Sequence, residues 1–340
     1  MTENYDLNVY ITHFVPPKPT LLNLIVSFFA PRISYEYLRS WARLIKHGTR
    51  GNQPWKKDIM TRSRKTDQVN RMMYMSRLLQ SLSNIKVRSL RINIVTNNED
   101  TKQQITSLGF DLKLNFYVYT KYNKMNQLHN SPWTEDNPTS PWNLVWEHKD
   151  LLRNDSLRGN NNSLYLYIEN DLLFTQKNLE YWVLNRSKLD VFNLIPSFVR
   201  MEYSSKINSY VAIDLFNHKQ TNPNNYPGVH IGELRFIQLP NTYCAMYLMD
   251  MKLVQEYLNS SAFHRKASRD LIWWDLGARA SMGVQFLNVP DGFTSRHVIE
   301  LSNGQISKGA LVHHLPNLYT RKLQHLENYS PIDRLFKHND

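Results

Sequence analysis

The stretch Ser163-Leu-Tyr-Leu-Tyr-Ile-Glu-Asn-Asp-Leu-Leu-Phe-Thr175 decides how the chain is read. From Ser163 to Ile168 it is almost wholly apolar, and Tyr165, Tyr167 and Ile168 favour an extended backbone. That is the pattern of a strand buried on both faces. The run stops at Glu169-Asn170-Asp171 and resumes at Leu172. Two carboxylates one residue apart at the end of a buried strand cost free energy unless a cation offsets them. Open α/β sheets also bind ligands at the carboxyl ends of their strands. The plainer reading is an exposed turn, with Asp171 as N-cap before a helical segment from Gln176 to Leu184.

Upstream, Leu7 to Val15 reads as a first buried strand closed by Pro16-Pro17. Ser89 to Thr96 reads as a second strand, followed by a short helix to Leu108 that Gly109 stops. Asp111 to Tyr119 reads as a third. An amphipathic helix over Asp67 to Leu82 places Val69, Met72, Met73 and Leu79 on one face. Strand, helix and strand at this spacing predict βαβ units: an α/β fold with a mostly parallel central sheet flanked by helices. Leu21 to Gln53 reads as a helical, basic insertion. Ser140 to Leu152 reads as a helix with Ser140 as N-cap, Pro141 at its first position, and Trp142, Val145 and Trp146 as core.

Downstream, Phe192 to Tyr203 alternates as one strand with Arg200 and Glu202 on the same face. Ile207 to Leu215 predicts an antiparallel strand, Phe236 to Leu239 and Tyr243 to Leu248 short strands, and Lys252 onward a helix. Ser268 to Gly283 predicts one helix carrying Asp270, the paired Trp273 and Trp274, and Asp275. Val284 to Val289 and Ala310 to Pro316 predict the last strands. Adjacent His313 and His314 point to opposite faces of the second, so at most one joins a site.

Trp142 to Lys149, Tyr165 to Asp171 and Ile195 to Glu202 together resemble a group of little-characterised bacterial GT-A-type glycosyltransferases, over roughly residues 140 to 205. Glu169-Asn170-Asp171 is similar to their DxD motif, with Glu169 where Asp is more usual. The resemblance implies a Rossmann-like single domain over residues 1–340. Its nucleotide-binding half would be 1–175, with the helical insertion at 21–82, and its acceptor half 176–325. It implies transfer of a sugar from a UDP- or GDP-sugar to a carbohydrate or lipid-linked acceptor. The cofactor would be Mn²⁺ or Mg²⁺ on Glu169 and Asp171, because a diphosphate and two carboxylates repel unless a hard cation lies between them. It further implies His313 or His314 as a third ligand, and His148 or Lys149 reaching a phosphate. Arg200 and Glu202 would lie beside the donor, and Asp275, or else Asp270, would be the acceptor's general base.

Composition bounds the rest. The 340 residues are 41% hydrophobic and 12% aromatic, enough for a large packed core. The single cysteine, Cys244, excludes a disulfide framework and a cysteine-rich metal site. Neither a zinc knuckle nor an RNP box is present, against nucleic acid, and no Gly-rich phosphate loop is present, against a P-loop enzyme. The polar start, Met1 to Asp6, reads as lacking a signal peptide, which makes the five N-x-Ser sequons a by-product of Asn-rich sequence and the expected setting the cytosol. Net charge is +12, and eleven Lys/Arg against three acids lie between Arg32 and Arg71. Beside them Leu21 to Ala30 is apolar but too short to span a bilayer. That pairing predicts peripheral attachment to anionic membrane. It also supports an alternative reading: a non-catalytic protein on the same scaffold that binds polyanion or membrane through this segment.

Overall fold

The computed structural model describes residues 2–15, 64–123, 141–215, 222–271, 274–317, 319–320 and 331–336. The chain divides into two compact units, Met1–Val15 with Val69–Asp340, and Pro16–Gln68. The apolar run at Leu21 and most of the basic stretch lie outside the described residues. Among these no helix is long and apolar enough to cross a membrane.

The first unit is built on β1 (Asp6–His13), β2 (Ser89–Thr96), β3 (Leu114–Val118) and β4 (Ser163–Glu169). Three helices accompany them: α1 (Arg64–Ser83), α2 (Asp100–Thr106) and α3 (His148–Ser156). Further along come β5 (Leu172–Leu173), α4 (Gln176–Asp190), β6 (Ile195–Pro196), β7 (Val199–Ser204) and β8 (Ser209–Ala212). The chain closes with β9 (Gly228–Ile231), β10 (Leu234–Ile237), β11 (Met246–Asp250), α5 (Met251–Leu258), α6 (Leu276–Ala280), β12 (His297–Ser302), β13 (Gln305–Ile306) and β14 (Leu311–His314).

The central sheet has the order β11-β4-β1-β2-β3. Its β4–β1, β1–β2 and β2–β3 pairs are parallel, and β11 adds an antiparallel edge. After β3 the chain crosses back to the far side of β1, so strand order reverses between β1 and β4. In doubly wound sheets that reversal opens a crevice at the carboxyl ends of the strands. Thr12 pairs with Glu169 in register, so the acid triplet leaves the sheet at that crevice.

The two faces of the sheet differ. Leu7, Val9, Ile11, Ile92, Ile94, Leu164, Leu166 and Ile168 supply one, buried aliphatic face; Met75, Leu78, Leu79 and Leu82 of α1 belong to the same core. Tyr10, Tyr167 and Tyr247 stand on the other face around His148 of α3, with Tyr167 stacked on its ring at 4.0 Å.

Several expectations are corrected. The predicted helix from Ser140 is a 3-10 turn over Pro141–Trp146 followed by α3. Within it Trp146 is buried, with its indole N–H donating to Leu276 O at 2.9 Å, but Trp142 is 43% exposed. The predicted strand over 192–203 is split, because Pro196 lacks the N–H a continuous ladder needs. β6 pairs with β12, whereas β7 joins β14 and β8. The expected helix over 268–283 is a 3-10 turn, Ala267–Asp270, and the separate α6. The expected strand at Val284 to Val289 is a run of turns. β12 replaces it, and the polar residues at its entry, Arg296 just before the strand and His297 as its first residue, hide it from periodicity although both are buried.

Two buried histidines make stability depend on pH. Burial, then the nearby Arg296, lowers the pKa of His297 to about 4, and burial, then Arg71, does the same for His13. An unfolded histidine titrates near 6.5. Below that pH the unfolded chain binds protons that the folded chain refuses. Stability is therefore expected to fall as pH drops from about 6.5 to about 4, by on the order of 3 kcal/mol per histidine. Urea denaturation at pH 7, 5.5 and 4.5 measures it, and His297→Gln removes part of the slope. A flat profile over this range refutes the assignment.

Candidate functional site

The acid triplet is held from both sides. Glu169 ends β4, and Asp171 lies between it and β5, which pairs antiparallel with β14. Leu315 N donates to Asp171 O at 2.8 Å, clamping the backbone of the triplet to the end of β14. The cap of α4 is Thr175 and not Asp171: Asn178 Oδ1 accepts from both Thr175 N and Thr175 Oγ1 at 2.8 Å. Asn178 Nδ2 also donates to Gly309 O and Leu311 O, which fixes β14 beside the triplet. Asn170, between the acids, donates to His13 Nδ1 at 2.7 Å.

β14 delivers one histidine to the site. His314 is buried, its Nδ1 donating to Glu202 Oε1 at 2.5 Å and its Nε2 lying 3.4 Å from Asp171 Oδ2. His313 points the other way, toward Asn317 and the Tyr210 ring. Glu202 is fully buried, and its second oxygen accepts from Thr320 N at 2.8 Å. Asp171, His314 and Glu202 thus form a chain from the acid triplet into β7.

Arg200, two residues before Glu202 on the same face, pairs with neither that residue nor the triplet. Asp214 holds it with two hydrogen bonds, 2.9 Å from Nε and 2.6 Å from Nη2, and its guanidinium lies 4.7 Å over the Tyr243 ring. Tyr243 O–H points at Glu169 Oε1 across 3.5 Å, and its ring packs on Trp274 at 5.0 Å. Sequence reasoning missed Asp214 and Tyr243. Asp214 carried a usable signal, since like Glu169 it is an acid at the end of an apolar run, Val211-Ala-Ile.

These contacts push the two acids apart. Burial, then the charge of Asp171, raises the Glu169 pKa toward neutrality. Burial opposes ionisation of Asp171 too, but the His314 hydrogen bond and charge, with Arg200, outweigh it and hold its carboxyl below the ordinary value. Burial lowers the His314 pKa, yet the hydrogen bonds to Asp171 and Glu202 prevail and raise it to about 9.

The remaining expected site residues lie elsewhere or play other parts. Asp275 is the N-cap of α6, its Oδ1 accepting from Ala278 N at 2.8 Å, and its charge reaches Glu169. Asp270 is exposed at the end of its 3-10 turn. His148 and Lys149 do not reach for a phosphate. The His148 Nδ1–H donates to Val145 O and its Nε2 accepts from Tyr247 O–H at 2.7 Å, so the ring is held neutral inside the core. Burial likewise lowers the Lys149 pKa, while its Nζ donates to Ala262 O at 2.9 Å and sits 3.7 Å from the Trp146 ring. A side chain whose polar atoms are all taken inside the protein has no donor to offer a ligand.

Among the described residues no three His, Cys, Asp or Glu side chains converge as a ready metal-ligand set. Glu169 and Asp171 are the two carboxylates at this crevice, and Asp171 Oδ1 is buried with no hydrogen-bond partner.

No protein-family model matches this chain, and no curated protein matches it, so the resemblance of residues 140–205 stands without a family. Among solved structures the chain is similar to mouse xyloside xylosyltransferase 1 in its apo form. The likeness is loose: 14% identity over 81% of this chain and 79% of that one, with a TM-score of 0.31.

Proposed function

We propose that this protein is a metal-dependent glycosyltransferase of GT-A type, moving a sugar from a nucleoside-diphosphate-sugar to a carbohydrate or lipid-linked acceptor. The observation that carries the reading is the position of Glu169 and Asp171 at the crevice where strand order reverses, with a buried carboxylate oxygen, Asp171 Oδ1, left without a partner. Leaving a buried acceptor unsatisfied costs about 1–3 kcal/mol, more if charged, and a relic site has no reason to keep that cost.

The surrounding charges fit a divalent cation. Glu169, Asp171 and Asp275, with Glu202 and Asp214 behind their partners, face His314, Arg200 and Arg71. With every acid ionised and His314 protonated, two negative charges remain. A hard cation such as Mg²⁺ takes one or two protein carboxylates and completes its shell with phosphate oxygens, which agrees with two acids and no three-ligand set among the described residues. Bound there, Mn²⁺ or Mg²⁺ would neutralise the departing diphosphate.

The chain's own groups divide the remaining work. Glu202 holds the His314 ring by Nδ1, which aims Nε2 at Asp171. Arg200, immobilised by Asp214, is a fixed positive charge beside the acids. For inversion, Asp275 takes the proton from the acceptor hydroxyl while its oxygen bonds to the anomeric carbon. The bond from that carbon to the diphosphate breaks, and its electron pair leaves on phosphate oxygen.

Calorimetry with UDP and GDP, with and without Mn²⁺, tests the reading. Binding of one diphosphate that requires Mn²⁺ and disappears with chelator is expected. Equal binding under chelator removes the metal from the site, and no binding of either refutes the transferase.

A further inference from the structure

Trp142, expected in the core and found exposed, has specific surroundings. Four residues later Trp146 is buried and donates its indole N–H to Leu276 O, so the 3-10 turn and α6 are locked together. Trp142 is left 43% exposed on the same turn. Opposite it stands Gly277, the second residue of α6. A β-carbon built there would meet Trp142 Cε3 at 3.7 Å and Asp275 Oδ1 at 3.4 Å. An indole ring, a carboxylate and a position with no side chain therefore meet at one point. Ala278 N donates to Asp275 Oδ1, and no described residue holds Oδ2. On the other side of Asp275, Trp274 packs on Tyr243, whose hydroxyl points at Glu169. The place is continuous with the acid triplet.

From this geometry we infer a second subsite, formed by Trp142, Gly277 and Asp275, that binds the ring of a neutral sugar. The flat C–H face of a pyranose matches an exposed indole, whose π face is negative and attracts polarised C–H groups. The adjacent carboxylate accepts from ring hydroxyls and fixes the orientation. Gly277 leaves the indole beside it uncrowded: a β-carbon there would already touch Trp142 Cε3 at 3.7 Å, and a longer side chain would compete with a sugar for that space. The Asp275 charge selects against acidic sugars and phosphates. The inference rests on the transferase reading only in making this ring the acceptor; sugar binding itself does not depend on it.

The test uses the full-length protein. Methyl glycosides of glucose, galactose, mannose and xylose, with disaccharides of the same units, are examined by saturation-transfer NMR and tryptophan fluorescence. At least one is expected to bind, and to bind in competition with a second neutral glycoside. Trp142→Ala and Gly277→Leu are each expected to weaken it at least tenfold. Gly277→Ala, whose added methyl stays at ordinary contact distance, keeps it within about threefold. UDP or GDP binding with Mn²⁺, measured on the same variants, serves as the fold control and stays unchanged. Binding by none of the glycosides, or binding untouched in both Trp142→Ala and Gly277→Leu, overturns the subsite. Loss of nucleotide binding in those two variants with sugar binding intact also overturns it, because the platform then holds a base. Sugar binding that follows the pattern above in a protein that binds no nucleotide supports the subsite and removes the transferase.

Discussion

Arg200→Ala is expected to lower the unfolding free energy by about 3–5 kcal/mol, the usual cost of removing one member of a buried ion pair. Sequence alone puts Arg200 beside Glu202 on a strand face, and the resemblance implies that both lie beside the donor. The structure gives a different partner. Arg200 and Asp214 are both largely buried and share two hydrogen bonds, and that pair, against the cost of burial, holds the guanidinium fully charged. Truncating Arg200 strands the Asp214 carboxylate in the core and takes a positive charge away from Glu169 and Asp171. Asp214→Ala should cost a similar amount for the mirror reason. Replacing both with apolar residues, Arg200→Met with Asp214→Leu, leaves no orphan charge and should recover most of the loss. Urea denaturation of the three variants measures this. A loss under about 1 kcal/mol in both single variants would show the pair to be solvated and its geometry incidental.

The central strands were legible because β4 is buried on both faces and reads as an unbroken apolar run, and because β1 and β2 stay mostly apolar despite Asn8, Arg91 and Asn93; Ser89–Thr96 has the predicted bounds, and Ser163–Glu169 runs one residue past the predicted end at Ile168. The acid triplet was legible for the same reason, since charge at the end of such a run stands out. Alternation on β14 correctly separates His313 from His314. What was not legible depends on long-range pairing. Nothing local to Arg200 points to Asp214, and nothing local to His314 points to Glu202. Lys149 looks like a surface cation until Trp146, Tyr257 and Phe263 close around it. β12 was missed because the residues at its entry are polar and buried, held by partners far away: Arg296, just before the strand, by Glu256 and Asn193, and His297, its first residue, by Ser197.

The largest effect on activity is expected from Asp171→Asn, a loss of about a thousandfold or more in sugar transfer at saturating Mn²⁺. Such a factor corresponds to about 4 kcal/mol of transition-state stabilisation, within what a metal on a leaving diphosphate contributes. The amide keeps the shape of the side chain but removes its negative charge, so on the proposed reading it removes a metal-binding carboxylate and the anionic partner of His314 together. Glu202→Gln separates these two roles. Glu202 touches no ligand; it holds the Nδ1 of His314, which faces Asp171 through Nε2. Partners of this kind, one step behind the ligands, typically change metal affinity or activity by 10–100-fold. Glu202→Gln should therefore fall between wild type and Asp171→Asn, in activity and also in the Mn²⁺ dependence of diphosphate binding by calorimetry. The calorimetric arm matters because Glu202 is fully buried and its loss also weakens the fold. A purely structural role lowers the melting temperature without moving the Mn²⁺ concentration at half-saturation. Asp171→Asn retaining activity within tenfold of wild type would mean that transfer does not run through this carboxylate at all. The orphaned Oδ1 would then be a structural defect with no chemical use.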